Sequence, residues 1–187
     1  GLGPEPDSLD IHQAQGLSAI HLLREIREGL LTFDAHGELA PGVAQSWEVD
    51  NSGRTYRFTL REDARWSNGD PLVAGDFLRA WRKAVTPATA ARTAGLLGMV
   101  QNANAALAGD ADPARLGITA VTDHLLEIRL TQAAPWFLEI LAHPVSFPLH
   151  PADPDAPREA FVNGAYLIAE ATPHAMLRLA VNPHYHA

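Results

Sequence analysis

The stretch RTYRFTLREDARWSNGDPLVAGDFLRAW, residues 54–81, contains the patterns of a strand, a turn and a helix in direct succession. Apolar Tyr56, Phe58 and Leu60 alternate with polar residues, which is typical of a strand with one buried face and one face in water. The turn follows at 67–71, where Asn-Gly tolerates a positive φ and proline fixes the exit. The remaining residues have apolar side chains at helical spacing, so a helix should follow the turn directly.

The same criteria predict the other elements of the chain. Alternating stretches separated by turn residues predict hairpins around the turn at 34–38, between 46–49 and 56–60, between 117–121 and 125–130, and between 164–169 and 176–181. Helical spacing and alanine content predict helices at 19–28 with Ser18 as the cap, from 74 to before Pro87, at 88–100, at 101–107 and at 135–141. The predicted fold class is therefore α+β.

The four tryptophans, Trp47, Trp66, Trp81 and Trp136, have two interpretations. Indole rings can stack against a ligand, but each of these residues lies inside an apolar period beside other core residues. The pattern favours packing in the core. For the helix at 135–141 it predicts that Trp136 points inward.

Composition limits the classes of function. The 187 residues are 47% hydrophobic, which is enough for a substantial core, and they contain no cysteine. The net charge is −8, and the 14 lysines and arginines are dispersed singly apart from the adjacent Arg82 and Lys83, which argues against a nucleic-acid surface. No apolar run reaches the roughly 18 residues of a membrane span. The chain also starts without the charged and apolar regions of a signal peptide, so we expect a processed or trimmed product.

Chemistry-bearing motifs are scarce. No nucleophile elbow, zinc-protease motif, phosphate loop or dinucleotide fingerprint occurs, so the sequence predicts neither an enzyme nor a cofactor. His184 and His186 have the spacing of residues that share one face of a strand, with His174 ten residues earlier. They could chelate a metal, but no acidic partner is close in sequence, and we expect surface or packing roles with no metal.

Several short motifs lie along nearly the whole chain. The turn and helix contribute W-S-N-G-D-P-L and D-F-x-x-x-W. The other motifs are S-L-D at 8–10, E-G-L-L at 28–31, A-P-G-V-A at 40–44, A-P-W-F at 134–137, N-G-A-Y at 163–166 and V-N-P-H-Y at 181–185. In this order they resemble the motifs of the extracytoplasmic solute-binding proteins of peptide ABC importers, the oligopeptide- and dipeptide-binding family. Members are typically more than twice as long, so the chain resembles their N-terminal portion only.

The resemblance implies a periplasmic-binding-protein-like partial lobe with an inserted smaller α+β domain. Residues 1–28 and 151–187 would form the partial ligand-binding lobe, and residues 29–150 would form the inserted domain. The proline-rich stretch at 150–157 is where we expect the chain to cross between these two bodies.

The resemblance also implies a ligand site. In similar proteins a loop before the first helix hydrogen-bonds the peptide main chain, and this loop corresponds to Gln15, Gly16 and Leu17. Glycine permits close approach of two backbones, although Gln15 could equally be a solvated loop amide. Relatives of the oligopeptide branch often have an acidic residue in place of Gln15 and an aromatic hydroxyl near Thr93. The carboxylate that pairs with the peptide amino group belongs to the opposite lobe in those relatives.

The implied function is that of a substrate-binding component, or a fragment of one, that captures peptides in the periplasm or otherwise outside the cytoplasm. It would deliver them to an ABC permease in the membrane. An alternative is a truncated sensor or interaction domain, for example attached to a transcription regulator. Permease genes nearby would favour the first interpretation, and an upstream helix-turn-helix the second. In either case the face left by a missing lobe could support self-association.

Overall fold

The computed structural model describes residues 5–152, 161–172 and 175–186. Within these ranges the helices are α1 (Leu17–Ile26), α2 (Ala74–Ala84), α3 (Ala103–Leu107) and α4 (Phe137–Ile140). The strands are β1 (Leu31–Phe33), β2 (Leu39–Pro41), β3 (Ala44–Val49), β4 (Thr55–Leu60), β5 (Ile118–Thr122), β6 (Leu125–Arg129), β7 (Tyr166–Thr172) and β8 (Met176–Val181). Short 3₁₀ turns lie at Pro87–Thr89, Ala94–Leu97, Pro113–Arg115 and Pro144–Ser146.

Antiparallel pairing organises the strands into one four-stranded sheet and two hairpins. The sheet has the order β3-β4-β6-β5, and β1-β2 and β7-β8 pair separately. All four predicted hairpins are therefore confirmed, as is the α+β class. Turn chemistry explains two of these hairpins, β1-β2 and β3-β4, because Gly37 and Gly53 adopt the positive φ that their tight turns require.

The inner face of the four-stranded sheet covers the core. Tyr56, Phe58 and Leu60 of β4 are buried, as their alternation predicts. Phe137 meets Tyr56 edge-on with ring centroids 5.3 Å apart, and Trp81 of α2 meets Phe137 in the same way at 6.4 Å. The helix that follows the turn thus packs onto the strand that precedes it.

The turn between β4 and α2 fastens these elements to a late part of the chain. Gly69 has φ +88°, and the buried Trp66 donates from Nε1 to Asp76 Oδ2 at 3.0 Å. The N–H of Ser67 donates to the carbonyl of Val162 at 2.7 Å, and the N–H of Val162 donates back to Ser67 Oγ at 3.1 Å. Part of the motif that carries the family resemblance therefore has a structural role here.

The first helix differs from its prediction at both ends. It runs from Leu17 to Ile26, and Ser18 is buried inside it rather than capping it. Gly16 occupies the N-cap position with extended φ −67° and ψ 143°. Beyond the helix, a Cβ on Gly29 would lie 2.2 Å from the carbonyl oxygen of Leu141. The helix ends early because the chain must extend into this close backbone contact.

The predicted helix at 88–100 is wrong, since only two 3₁₀ turns form there. Ala90 between them is left-handed with φ 48°, and the N–H of Arg92 donates to the carbonyl of His12 at 2.9 Å instead of to its own helix. A tertiary contact has overridden alanine propensity. The next helix is shorter than predicted and covers only Ala103–Leu107.

The tryptophan predictions hold for three of the four residues. Trp66 and Trp81 are fully buried, and the half-buried Trp47 stacks on Phe58 with centroids 6.4 Å apart. Trp136 is 55% exposed, so its predicted inward orientation is wrong. The helix α4 has only four residues, and Phe137 is the side chain that enters the core.

The early and late segments of the chain meet at the end of α1. The N–H of Gly164 donates to the carbonyl of Ile26 at 2.9 Å, and the Asn163 side chain forms two hydrogen bonds with the Glu28 backbone, at 3.2 and 2.9 Å. Buried apolar side chains form a continuous cluster across the proposed domain limits. The division into 1–28 with 151–187 and 29–150 stays a prediction, and residues 153–160 of its boundary lie outside the described residues.

The longest helix in the described part of the chain, α2, has 11 residues, fewer than the roughly 20 that a membrane-spanning helix needs. The same residues contain no grouping of three or more histidine and carboxylate side chains suited to a metal ion. His174, one member of the histidine set considered above, lies outside the described residues.

Candidate functional site

The candidate site is formed by two segments distant in sequence, the leading loop (residues 7–16) and the facing segment (residues 87–93). Gln13 Nε2 donates to the carbonyl of Thr89 at 2.9 Å, and the Arg92 N–H donates to the carbonyl of His12 at the same distance. Arg92 Nη1 also donates to Gln15 Oε1 at 3.1 Å. The structure thus brings Gln15 to the segment that carries Thr93.

Asp7 closes the leading loop on itself. Its Oδ2 accepts from the N–H of Gln15 at 3.0 Å, and its Oδ1 accepts from the N–H of Gly16 at 3.1 Å. These backbone bonds, that from Gln15 foremost, hold the pKa of Asp7 below its usual range. Two N–H groups of the predicted ligand loop are therefore already used within the protein.

The main-chain groups left for a ligand are the carbonyl of Gln15 and the N–H of Leu17. No described group donates to the carbonyl of Gln15, and the N–H of Leu17 has no described acceptor. The carbonyl of Gly16, by contrast, accepts from the N–H of Ile20 within the helix. The first N–H groups of a helix have no intrahelical partner, so the N–H of Leu17 is a donor by position. The arrangement offers one acceptor and one donor two residues apart, which matches the spacing of an extended peptide backbone.

These groups lie at the surface. Gln15 is exposed, Gly16 is half-buried, and the side chain of Leu17 is 73% exposed. A Cβ on Gly16 would come within 3.0 Å of Asp7 Oδ1, so glycine fits the loop closure best. An exposed apolar side chain beside unsatisfied main-chain groups is a suitable contact surface for a peptide.

Thr93, a predicted ligand-binding residue, forms no hydrogen bond to the leading loop among the described contacts. The residue is half-buried, and its Oγ1 is shielded from solvent and has no hydrogen-bond partner among the described residues. Its neighbour Arg92 is the residue that reaches the leading loop. No local pattern indicates Arg92, because its role depends on contacts with His12 and Gln15, which lie 77 or more positions earlier in the chain.

His12 anchors the leading loop from below. It is fully buried, and neither ring nitrogen has a hydrogen-bond partner among the described residues. Burial lowers the pKa of His12 to about 4, and the charges of Lys83 and Arg27 act in the same direction, against the opposing effect of Asp10. At neutral pH the ring is uncharged, and it holds the loop by packing.

A second polar cluster joins the end of α1 to the end of β8. Tyr185 Oη donates to Glu28 Oε1 at 2.7 Å, and His186 Nε2 lies 2.7 Å from Glu28 Oε2. Burial first, then the charge and hydrogen bond of Glu28, raise the pKa of Tyr185 well above its usual range. His186 thus has an acidic partner 158 residues earlier, one that sequence proximity could not reveal, and the cluster ties two parts of the chain together.

Comparison with known proteins gives consistent results. The family model for bacterial extracellular solute-binding proteins, family 5 middle, matches residues 38–187. The chain is 38% identical to the periplasmic murein peptide-binding protein MppA of Escherichia coli K12, covering 97% of this chain and 35% of the relative. It is 37% identical to the periplasmic oligopeptide-binding protein OppA of Haemophilus influenzae, covering 98% and 36%.

A relative named for another ligand class also matches. The chain is 35% identical to the probable deoxycholate-binding periplasmic protein YgiS of E. coli K12, over 97% of this chain and 36% of the relative. The chain thus spans just over a third of the length of the curated relatives it matches.

Among solved structures, H. influenzae OppA in complex with the peptide RPPGFSPFR superposes with a TM-score of 0.94 at 37% identity. The match covers 98% of this chain and 38% of that one. The E. coli murein tripeptide-binding protein MppA superposes with a TM-score of 0.92 at 37% identity, covering 97% and 37%. The described fold is therefore similar to a contiguous part of larger peptide-binding proteins.

Proposed function

We propose, since the chain belongs to the bacterial extracellular solute-binding proteins of family 5, that it serves in peptide capture as part of the substrate-binding component of an ABC importer. The observation that carries this proposal is the superposition on H. influenzae OppA, a protein solved with a bound peptide. Capture outside the cytoplasm and delivery to a membrane permease belong to the proposal, and the names of the periplasmic relatives support them.

The proposed mode of capture is main-chain hydrogen bonding at the leading loop. The carbonyl of Gln15 and the N–H of Leu17 have no described partner, so both remain available to a second backbone. Main-chain bonding reads no particular side chain, so it suits a receptor for many peptides. The exposed side chain of Leu17 would cover one apolar residue of the ligand.

The proposed division of labour assigns the ligand site to residues 1–28 with 151–187 and a supporting role to residues 29–150. The leading loop belongs to the first set, and the facing segment, with Arg92 and Thr93, belongs to the second. The ligand would therefore contact both bodies where the hydrogen bonds from Gln13 and Arg92 join them.

Affinity should be low in this chain alone. A receptor that surrounds its ligand removes the peptide backbone from water and pairs both termini, whereas one surface leaves most of these groups competing with water. We expect a dissociation constant no tighter than about 1 mM, about −4 kcal/mol. We also propose self-association through the β7-β8 hairpin, where Tyr166, Met176 and Val181 are exposed.

The test is a titration of the chain, followed by NMR, with a pool of di- to pentapeptides and in parallel with deoxycholate below its micellar concentration. Millimolar binding of peptides with shifts at the leading loop supports peptide capture. Saturable binding of deoxycholate alone would contradict it. Sedimentation velocity at several concentrations tests self-association, and a monomer throughout would refute that part.

A further inference from the structure

Arg92 is fixed at both ends to the leading loop. Its backbone N–H donates to the carbonyl of His12 at 2.9 Å, and its Nη1 donates to Gln15 Oε1 at 3.1 Å. Its side chain is exposed. The guanidinium is therefore held beside the predicted ligand groups rather than extended freely into solvent, which reduces the entropy lost when it binds a partner.

The charge of Arg92 has no counter-ion among the described residues. Among the other arginines of this chain, Arg57 and Arg129 pair with Glu127 at 2.9 and 2.7 Å and Arg79 with Asp76 at 2.9 Å, whereas Arg61 and Arg65 donate to backbone carbonyls. The partner of Arg92 is instead a neutral amide, and one Nη1 hydrogen bond leaves the other N–H donors of the guanidinium without a described acceptor. These donors form the fork that binds a carboxylate through two parallel hydrogen bonds.

We infer that Arg92 is a specificity-determining residue that pairs with a carboxylate of the bound peptide, so that the site prefers acidic peptides. This inference rests on the proposed function. Gln15 has two roles in it, since its carbonyl meets the ligand main chain while its side chain orients the guanidinium. A carboxylate is the ligand chemistry that fits, because the fork is positive, planar and rich in donors.

The test uses tripeptides amidated at the C-terminus that carry Glu at the first, second or third position, each with a Gln twin. Dissociation constants come from NMR titration of the chain at low ionic strength. Because Arg92 is exposed, we expect the Glu peptide to bind about fivefold more tightly than its twin at one of the three positions. Raising the salt concentration should reduce this ratio.

Three variants separate a specific role from a general effect of charge. Arg92→Gln should bring the ratio of the two affinities to about one. Gln15→Glu places a carboxylate against the guanidinium and should also abolish the preference with Arg92 in place. Arg178→Gln is the matched control, because Arg178 is a solvent-exposed arginine of β8 next to Glu170, and it should keep the wild-type ratio.

The outcomes are distinguishable. Equal affinities within every Glu and Gln pair, or a ratio that survives Arg92→Gln, overturns the assignment of Arg92 and leaves peptide capture intact. Failure of all tripeptides to bind overturns the proposed function, and this inference with it. Circular dichroism of each variant verifies that the fold is retained.

Discussion

Acidification should unfold this protein through His12. The folded state holds the pKa of His12 at about 4 against an ordinary value of 6.5, because the ring is buried with no hydrogen-bond partner among the described residues. The unfolded chain therefore takes up the proton first. The stabilising effect is complete above pH 6.5 and is lost progressively as the pH falls from 6.5 to 4.

The magnitude follows from the size of the shift. A difference of about 2.5 pKa units at 1.36 kcal/mol per unit gives about 3 kcal/mol of unfolding free energy lost between pH 6.5 and 4. This is a large fraction of the stability of a typical domain. Because His12 is a buried residue of the leading loop itself, the loop should be the first part of the site to open.

Urea unfolding followed by tryptophan fluorescence at a series of pH values measures this loss. His12→Leu removes the titrating group. When the pH is lowered from 6.5 to 4, the free energy of unfolding of this variant should therefore decrease by about 3 kcal/mol less than that of the wild type. His21→Gln, at an exposed position of α1, serves as the control and should follow the wild type. Parallel pH profiles for the wild type and His12→Leu would refute the reasoning.

Two further expectations concern packing. Trp81→Ala should lower the free energy of unfolding by about 3 to 5 kcal/mol, because Trp81 is fully buried. Trp136→Ala should change it by no more than about 0.5 kcal/mol, because Trp136 is exposed. Equal urea midpoints for the two variants would contradict the assigned burial. Gly164→Ala should be strongly destabilising, since its Cβ would lie 2.4 Å from the backbone carbon of Ile26, while Gly95→Ala, with no atom within 4 Å of its Cβ, should be tolerated. Thermal unfolding compares the two glycine variants, and similar melting temperatures would show that the early and late segments do not meet as described.

Local chemistry explains what the sequence predicted well. Hairpins depend on alternation and on glycines that accept positive φ, as at Gly53, and both are visible in a single chain. The burial of Trp66 and Trp81 follows from periodicity in the same way. Trp136 has an equally apolar neighbourhood, but α4 is one turn long, and periodicity over one turn cannot decide which side chain points inward.

Long-range contacts explain what the sequence predicted poorly. The alanine-rich stretch at 88–100 favours helix by propensity, yet its backbone bonds to the leading loop. The same contacts place Arg92 on Gln15 and leave His12 buried below them. None of these pairings has a local signal, so the resemblance could indicate Gln15, Gly16, Leu17 and Thr93 while the residues that organise the loop stayed hidden.

The leading loop is proposed to bind peptide main chain through one acceptor and one donor, and proline can remove the donor, the N–H of Leu17. Leu17 is the first residue of α1, a position where proline is tolerated, and Gly16 already has the extended φ −67° and ψ 143° that a following proline requires. Leu17→Pro therefore deletes the donor without breaking the helix, while Leu17→Ala deletes the side chain and keeps the donor.

The decisive measurement is an NMR titration of the wild type, Leu17→Ala and Leu17→Pro with an alanine tripeptide. We expect millimolar binding by the wild type with chemical-shift changes at Gln15, Gly16 and Leu17, and similar binding by Leu17→Ala. The affinity of Leu17→Pro should be at least about fivefold lower, because a hydrogen bond is worth about 1 kcal/mol. Undiminished binding by Leu17→Pro, or shifts that avoid the leading loop in the wild type, would contradict peptide capture at this site.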